Sequence, residues 1–495
     1  MTKQLVNLPK EPIVGKNLIG GEWQDPSNGK RIDVISPYTG KAIGTVPMSD
    51  ASDVDRAVEA AKKAQIAWRE TPLRERTQIL FNFRQIVLDR IDDLSHLAAA
   101  ECGKTVAEAK AGVLKGVEII EFASSLQNMD AGSALEVSRG VTCETRREPL
   151  GVVAGISPFN FPAMVPMWMY PTALTLGNAF ILKPSEKVPL TADLSGQLLL
   201  EAGFPPGVFS IVHGGKETVE ALCDHPGIEA VGFVGSTPIA KAVYSRATAN
   251  GKRALALGGA KNHFIVVPDA DPDITVDGVV RSFTGCAGQR CMAASLMVAV
   301  GDCDHLIEKI IAHTKSLELG VDMGAIIEQG AHDRLRNDLE QAVGEGAKLV
   351  VDGRGIAAPE GYESGYWLAP SILDGATFDM ECANRELFGP ILSIVHVKTI
   401  QEAVALQSKS PFGNAYSVFT TRGATARYVI ENSEAAMVGV NIGVPVPREP
   451  FSFGGTKDSK FGSHDMTGWG GVELWSKTKK ITSKWALQPD VTWMS

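Results

Sequence analysis

Apolar residues change their spacing along the chain, and each change marks a different kind of element. Between residues 17 and 48 they fall in short clusters broken by Gly, Pro and Asn: Ile-Gly-Gly-Glu-Trp (19–23), Asp-Pro-Ser-Asn-Gly (25–29) and Ser-Pro-Tyr-Thr-Gly (36–40). This punctuation predicts short strands and hairpins. Val54, Ala57, Val58, Ala61 and Ala64 then recur at helical spacing, with Ser49 or Asp50 available as the cap. Helical periodicity continues through most of 74–128. From 150 the chain alternates. Continuous apolar runs at 152–156, 180–182, 230–234 and 264–267, and Phe-Ser-Ile-Val at 209–212, read as strands. Amphipathic or apolar stretches at 164–176, 190–202, 217–223 and 238–247 read as helices. Strands apolar at every position predict a parallel sheet covered on both faces. Such sheets bind ligands beyond the carboxyl ends of their strands. A second α/β region is expected from about 270 to 455. Segments 142–149 and 475–485 are polar and alternate like strands, and fit either an edge hairpin of one chain or pairing with another region or subunit.

Length changes this picture into a multidomain one, because 495 residues correspond to roughly three domains. A net charge of −9 argues against a nucleic-acid or anionic-membrane surface. No run reaches the ~18 apolar residues of a membrane span. The N-terminus lacks the features of a signal or transit peptide. Seven cysteines, odd in number and scattered, indicate a reducing compartment, and a cytoplasmic location is expected. The nine histidines show no metal-ligand spacing, so no metal site is expected.

Candidate chemistry centres on Gly-Cys-Ala-Gly-Gln-Arg-Cys-Met-Ala (285–293). Cys291 follows the cation of Arg290 in a glycine-rich turn, a setting that favours the reactive thiolate. The run alone fits a buried structural cysteine equally well. Other groups stand at predicted strand ends. Gly235-Ser236 opens a helix whose free N–H groups can hold a phosphate, or is an ordinary turn and cap. Lys183 and Glu186 could bracket ribose hydroxyls, or form a solvated surface pair. Asn160, between Phe159 and Phe161, could donate to an oxyanion or satisfy a tight turn.

These runs occur in one order with Leu-Gly-Gly (257–259), Glu-Leu-Phe-Gly-Pro (386–390) and Phe-Ser-Phe-Gly-Gly (451–455). In that order the chain resembles the aldehyde dehydrogenase superfamily over about 17–485. The resemblance implies an α/β aldehyde dehydrogenase-like fold. A Rossmann-like NAD-binding domain (1–127 and 150–258) would join an α/β catalytic domain (259–457) and a small β oligomerisation domain (128–149 and 470–495), in a homodimer or homotetramer. It also implies Cys291, rather than Cys286, as nucleophile and Asn160 as oxyanion donor. Phe159, Lys183, Glu186, Gly235, Ser236, Glu386 and Phe388 become NAD contacts.

One departure redirects the chemistry. Most hydrolytic members carry Glu before Leu-Gly-Gly, to activate water against the thioester. Here Ala256 stands there, and the resemblance puts Met466 at the family's second glutamate position. A thiol needs less help than water to attack a thioester, which points to coenzyme A as acyl acceptor. Gly-Ala-Lys-Asn-His (259–263), residues 160–171 and Pro-Val-Pro (445–447) resemble the methylmalonate-semialdehyde dehydrogenase branch. The implied reaction is NAD-dependent, CoA-acylating oxidation of malonate or methylmalonate semialdehyde, with CO2 loss. Such a small-molecule substrate carries a carboxylate, which Arg290 could meet. Lys115 replaces the branch's Arg, keeping the charge without the bidentate fork. Arg448 stands where an apolar residue is expected. Both also fit ordinary surface charge. The alternatives are a hydrolytic dehydrogenase of another small anionic aldehyde and a non-catalytic structural member of the superfamily.

Overall fold

The computed structural model describes residues 4–130 and 132–485. Its first sheet runs Lys460–Phe461, Arg253–Leu257, Ala230–Val234, Val152–Ile156, Ala179–Lys183, Phe209–Ile211, Asn17–Ile19, Glu22–Gln24. The middle strands are parallel and the edges antiparallel. From Val152–Ile156 the chain steps outward through Ala179–Lys183 to Phe209–Ile211. It then returns to the other side for Ala230–Val234. This reversal opens a crevice between Val152–Ile156 and Ala230–Val234, the expected place for a ligand.

The apolar strands are buried because helices cover both faces. Val152, Ala154 and Ile156 pack with Val54 and Val58 of helix Ala51–Glu70, whose cap is Asp50. Val153, Phe180 and Leu182 face the other way, toward helix Met164–Thr175, which is buried at every position. A Cβ on Gly155 would strike the Phe180 ring and one on Gly232 the Trp475 ring, and each would crowd Met169 Sδ of that helix at 3.1 Å.

The second sheet runs Lys348–Val351, Ser371–Asp374, Ile391–Val397, Ala294–Val300, Asn262–Val266, Ala415–Phe419, Met437–Val440, parallel except at the first edge. The run at 264–267 therefore opens this sheet instead of extending the first one. Gly258-Gly259 turns the chain between the two. Strand Arg253–Leu257, absent from the sequence-based expectation, contains only Arg, Ala and Leu; it lacks the β-branched residues that signal strands, and its pairing partners make it one. The polar segments at 142–149 and 475–485 pair with each other within the chain. Ser476 lies opposite Pro149 and Lys484 opposite Val141, with Ser133–Ser138 on the outer edge. Residues 486–495 of the expected oligomerisation segment lie outside the described residues.

Candidate active site

Helix Pro272–Thr284 delivers the chain into a tight turn in which Cys286 and Ala287 adopt left-handed φ of 53° and 52°. Non-glycine residues are strained there, and the turn is correspondingly braced. The Cys286 N–H donates to Glu108 Oε1 at 2.6 Å. Gln289 donates to the Ala325 carbonyl at 3.3 Å and accepts from the Ile327 N–H at 3.1 Å. A Cβ on Gly288 would run into the Gly389 carbonyl, so the Gly-Gln-Arg-Cys and Glu-Leu-Phe-Gly-Pro runs meet by close backbone approach.

Three asparagines hold the segment that follows. Asn160 donates to the Gln289 carbonyl at 2.9 Å. Asn262 and Asn414 both donate to the Cys291 carbonyl, at 2.7 and 3.0 Å. Sequence reasoning missed the last two roles. Asn262 lay inside a quoted motif, whereas Asn414 carried no signal.

Cys291 lines a pocket of about 330 Å³ with Phe161, Trp168, Met292, Val444 and Val446 among its apolar walls. Arg290, Lys115 and Arg448 line the same pocket, and none of its lining residues is a carboxylate. Arg290 Nη2 donates to the Arg281 and Ser282 carbonyls, and among the described residues Arg290 has no acidic partner. Lys115 is paired with Glu118 and Glu449. Burial pushes the Cys291 thiol up to about 12; the Glu386 carboxyl adds to the rise and Arg290 opposes it. Cys286 is buried on the other side of the turn beside Lys104 and Glu108, and burial raises its thiol too.

On the cofactor side the candidates gather at strand ends. Lys183 Nζ lies 3.0 Å from Glu186 Oε2 at the end of Ala179–Lys183. Burial acts to raise the Glu186 carboxyl, but Lys183 and nearby hydrogen bonds hold it below the usual range. Ser236 caps helix Thr237–Ala249 without using its side chain. A Cβ on Gly235 would meet the Phe233 ring, and one on Gly259 would meet the Glu386 carboxylate. Glu386 Oε1 accepts from the Ala260 N–H at 3.1 Å, and burial pushes its carboxyl up to about 7. Phe388, at φ 57°, stands edge-on to Phe159 with centroids 5.7 Å apart. A small cavity of about 240 Å³ lies between these two rings, Gln289, Lys187 and Arg334. Ala256 is wholly buried between its strand partners Phe233 and Phe461 and does not line the Cys291 pocket, so the expectation that this position would hold the base facing the thioester is not met. Its neighbour Leu257 points to the side on which Cys291 packs.

A sequence profile of the aldehyde dehydrogenase family matches residues 23–481. The chain belongs to this family. It is 43% identical to malonate-semialdehyde dehydrogenase 2 of Geobacillus kaustophilus over 95% of this chain and 98% of that protein. It is 41% identical to the acylating, mitochondrial methylmalonate-semialdehyde dehydrogenase of Arabidopsis thaliana, over 96% of this chain and 80% of that one. A Sinorhizobium meliloti structure assigned to methylmalonate-semialdehyde dehydrogenase, complexed with NAD, superposes with a TM-score of 0.95 at 39% identity, covering 97% of this chain and 99% of that one. Such coverage extends the likeness to both large sheets and the pocket between their loops.

Proposed function

We propose that the chain is an NAD-dependent, CoA-acylating dehydrogenase of malonate or methylmalonate semialdehyde, forming acetyl-CoA or propionyl-CoA and CO2. The observation that carries this reading is the Cys291 pocket, whose charged lining residues are all cations. NAD fits the crevice. The free first turn of helix Thr237–Ala249 suits a diphosphate, the Lys183–Glu186 pair suits ribose hydroxyls, and Gly235 and Gly259 leave no room for side chains. When bound there, NAD supplies the hydride acceptor. Cys291 adds to the aldehyde carbon, and Arg290 favours its thiolate while holding the substrate acid. Asn160, an amide with two N–H donors of which one is on Gln289, offers the other to the oxyanion. Oxidation leaves an acyl thioester on Cys291, which the CoA thiol takes up. Loss of CO2 from a β-carboxy thioester needs no metal, because the thioester carbonyl delocalises the developing charge.

The test is turnover of malonate semialdehyde with NAD, with CoA present or omitted. Without CoA we expect a burst of about one NADH per site and then slow turnover. CoA should raise the steady rate at least about tenfold, against the 10²–10⁴ typical of general-base assistance. Equal rates with free acid as product would overturn the reading. One observation favours hydrolysis instead: Glu386, with a carboxyl near neutrality, is a buried base whose charge reaches Cys291. Loss of CoA-independent turnover in Glu386→Gln would support that second reading.

The exposed strand Ser133–Ser138, with Leu135 and Val137 facing solvent, supports the oligomerisation role of the small sheet, in a homodimer or homotetramer. Sedimentation of the wild type and of Val137→Lys tests it; an unchanged, monomeric species would refute it. Seven free cysteines support a cytoplasmic location. Among the described residues no helix is long and apolar enough to cross a membrane.

A further inference from the structure

Lys115 and Arg290 meet the pocket of Cys291 in opposite electrostatic states. Lys115 Nζ lies 2.8 Å from Glu118 Oε2 and 3.1 Å from Glu449 Oε2. An ammonium has three donors, so two of these are committed to carboxylates. Glu449 is only 6% exposed and Lys115 17%, so this pair is shielded from the solvent that weakens surface ion pairs. Arg448 is 81% exposed and 3.8 Å from Glu118. Neither glutamate lines the Cys291 pocket. Both line an adjoining cavity of about 350 Å³, and Arg448 lines both spaces. Arg290 spends its hydrogen bonds on neutral carbonyls, so its charge stands unbalanced beside Cys291.

We propose that Glu118 and Glu449 determine which acid the enzyme accepts. By neutralising Lys115, which reaches the pocket from helix Val106–Met129, they leave Arg290 beside Cys291 as the stronger carboxylate anchor, since the third cation, Arg448, is 81% exposed and its charge is screened by solvent. The anchor beside the nucleophile holds an acid separated from the aldehyde by a single carbon. A longer acid, whose carboxylate reaches past Arg290 toward Lys115, meets a cation already flanked by two negative charges. Discrimination needs an element that rejects the wrong substrate as well as one that holds the right one, and like charges brought together supply the rejection. The inference rests on the semialdehyde reading above and names residues that set its selectivity.

The test is the ratio of kcat/KM for malonate semialdehyde to that for succinate semialdehyde, with NAD and CoA present. Glu449→Gln and Glu118→Gln should each lower this ratio about tenfold or more, chiefly by raising kcat/KM for succinate semialdehyde. Adding Lys115→Met to Glu449→Gln should abolish the gain, because the freed cation is gone. Glu121→Gln, on the same helix but paired with Arg84 at 2.7 Å, should leave the ratio unchanged. Glu118, one-third exposed, gives a variant that tolerates substitution even where Glu449→Gln lowers the yield of folded protein. An unchanged ratio in the glutamate variants, with malonate semialdehyde still turned over, overturns the selectivity assignment and leaves the reaction class standing. A wild-type preference for succinate semialdehyde overturns both.

Discussion

Cys291 and Cys286 share one turn and meet opposite surroundings. Cys291 opens to the cation-lined pocket, while Cys286 is sealed behind the turn beside Lys104 and Glu108. Cys291→Ala should abolish aldehyde oxidation and Cys286→Ala should keep most of it. Iodoacetamide labelling with peptide mapping checks the assignment, and loss of activity tracking modification of Cys286 would reverse it. The thiol's burial gives a pH prediction. With the Cys291 thiol pushed up to about 12, alkylation of the cofactor-free enzyme should climb about tenfold per pH unit between pH 7 and 9, without a plateau. The Glu386 carboxylate contributes to that rise and itself ionises near 7. Glu386→Gln should therefore react like the wild type below pH 7 and faster above it; a slower variant at pH 8 would contradict the geometry. Cys291, Arg290 and Asn160 were legible because each lies within a contiguous run. The clamp of Asn262 and Asn414 on the Cys291 carbonyl, and the pairing of Lys115 with Glu449, were not. Both join residues far apart in the chain, and a single sequence does not show which distant side chains meet.

At the level of elements, the alternation of apolar strands and helices revealed most of the first sheet, because full burial leaves an uninterrupted apolar run. Arg253–Leu257 escaped for lack of β-branched residues, and with it the true setting of Ala256. A glutamate there would not face Cys291; it would place a carboxylate between Phe233 and Phe461. We expect Ala256→Glu to cost on the order of 3–5 kcal/mol as an unpaired buried charge. The expected readout is a lowered thermal midpoint with no gain in CoA-independent hydrolysis. Helix Val106–Met129 bears on the catalytic turn through Glu108. Glu108 Oε2 completes the capping box with Thr105 while Oε1 receives the Cys286 N–H. Glu108→Ala leaves the Thr105 cap in place but removes the reciprocal half of the capping box, and it leaves the buried Cys286 N–H unpaired at about 1–3 kcal/mol. A turn held in left-handed φ should then loosen, so the NADH burst should slow along with the fall in thermal midpoint. Glu108→Gln, which keeps a neutral acceptor, should lose less of both. A burst rate unchanged in the Ala variant would show that the turn does not depend on this brace.

For the whole molecule, the cofactor candidates come from both sheets. Lys183, Glu186 and Ser236 stand at strand ends of the first, and Glu386 and Phe388 precede a strand of the second, meeting the first sheet at Gly258-Gly259. A ligand touching both sets stabilises the two sheets against unfolding together. A ligand that binds only the folded protein adds about 2.7 kcal/mol at one hundred times its Kd. NAD should therefore raise the thermal midpoint in one transition, with neither sheet melting apart from the other. NADP at the same concentration should raise it far less. The Glu186 carboxyl is held ionised by Lys183, and an ionised carboxylate repels a ribose 2′-phosphate. Glu186→Gln should narrow the gap between the two cofactors while leaving the Lys183 ammonium free to meet the phosphate. Scanning calorimetry with each cofactor, on wild type and variant, measures all of this directly. Equal shifts for NAD and NADP in the wild type would place Glu186 away from the ribose. A shift confined to one of two separate transitions would mean that the cofactor engages only one sheet.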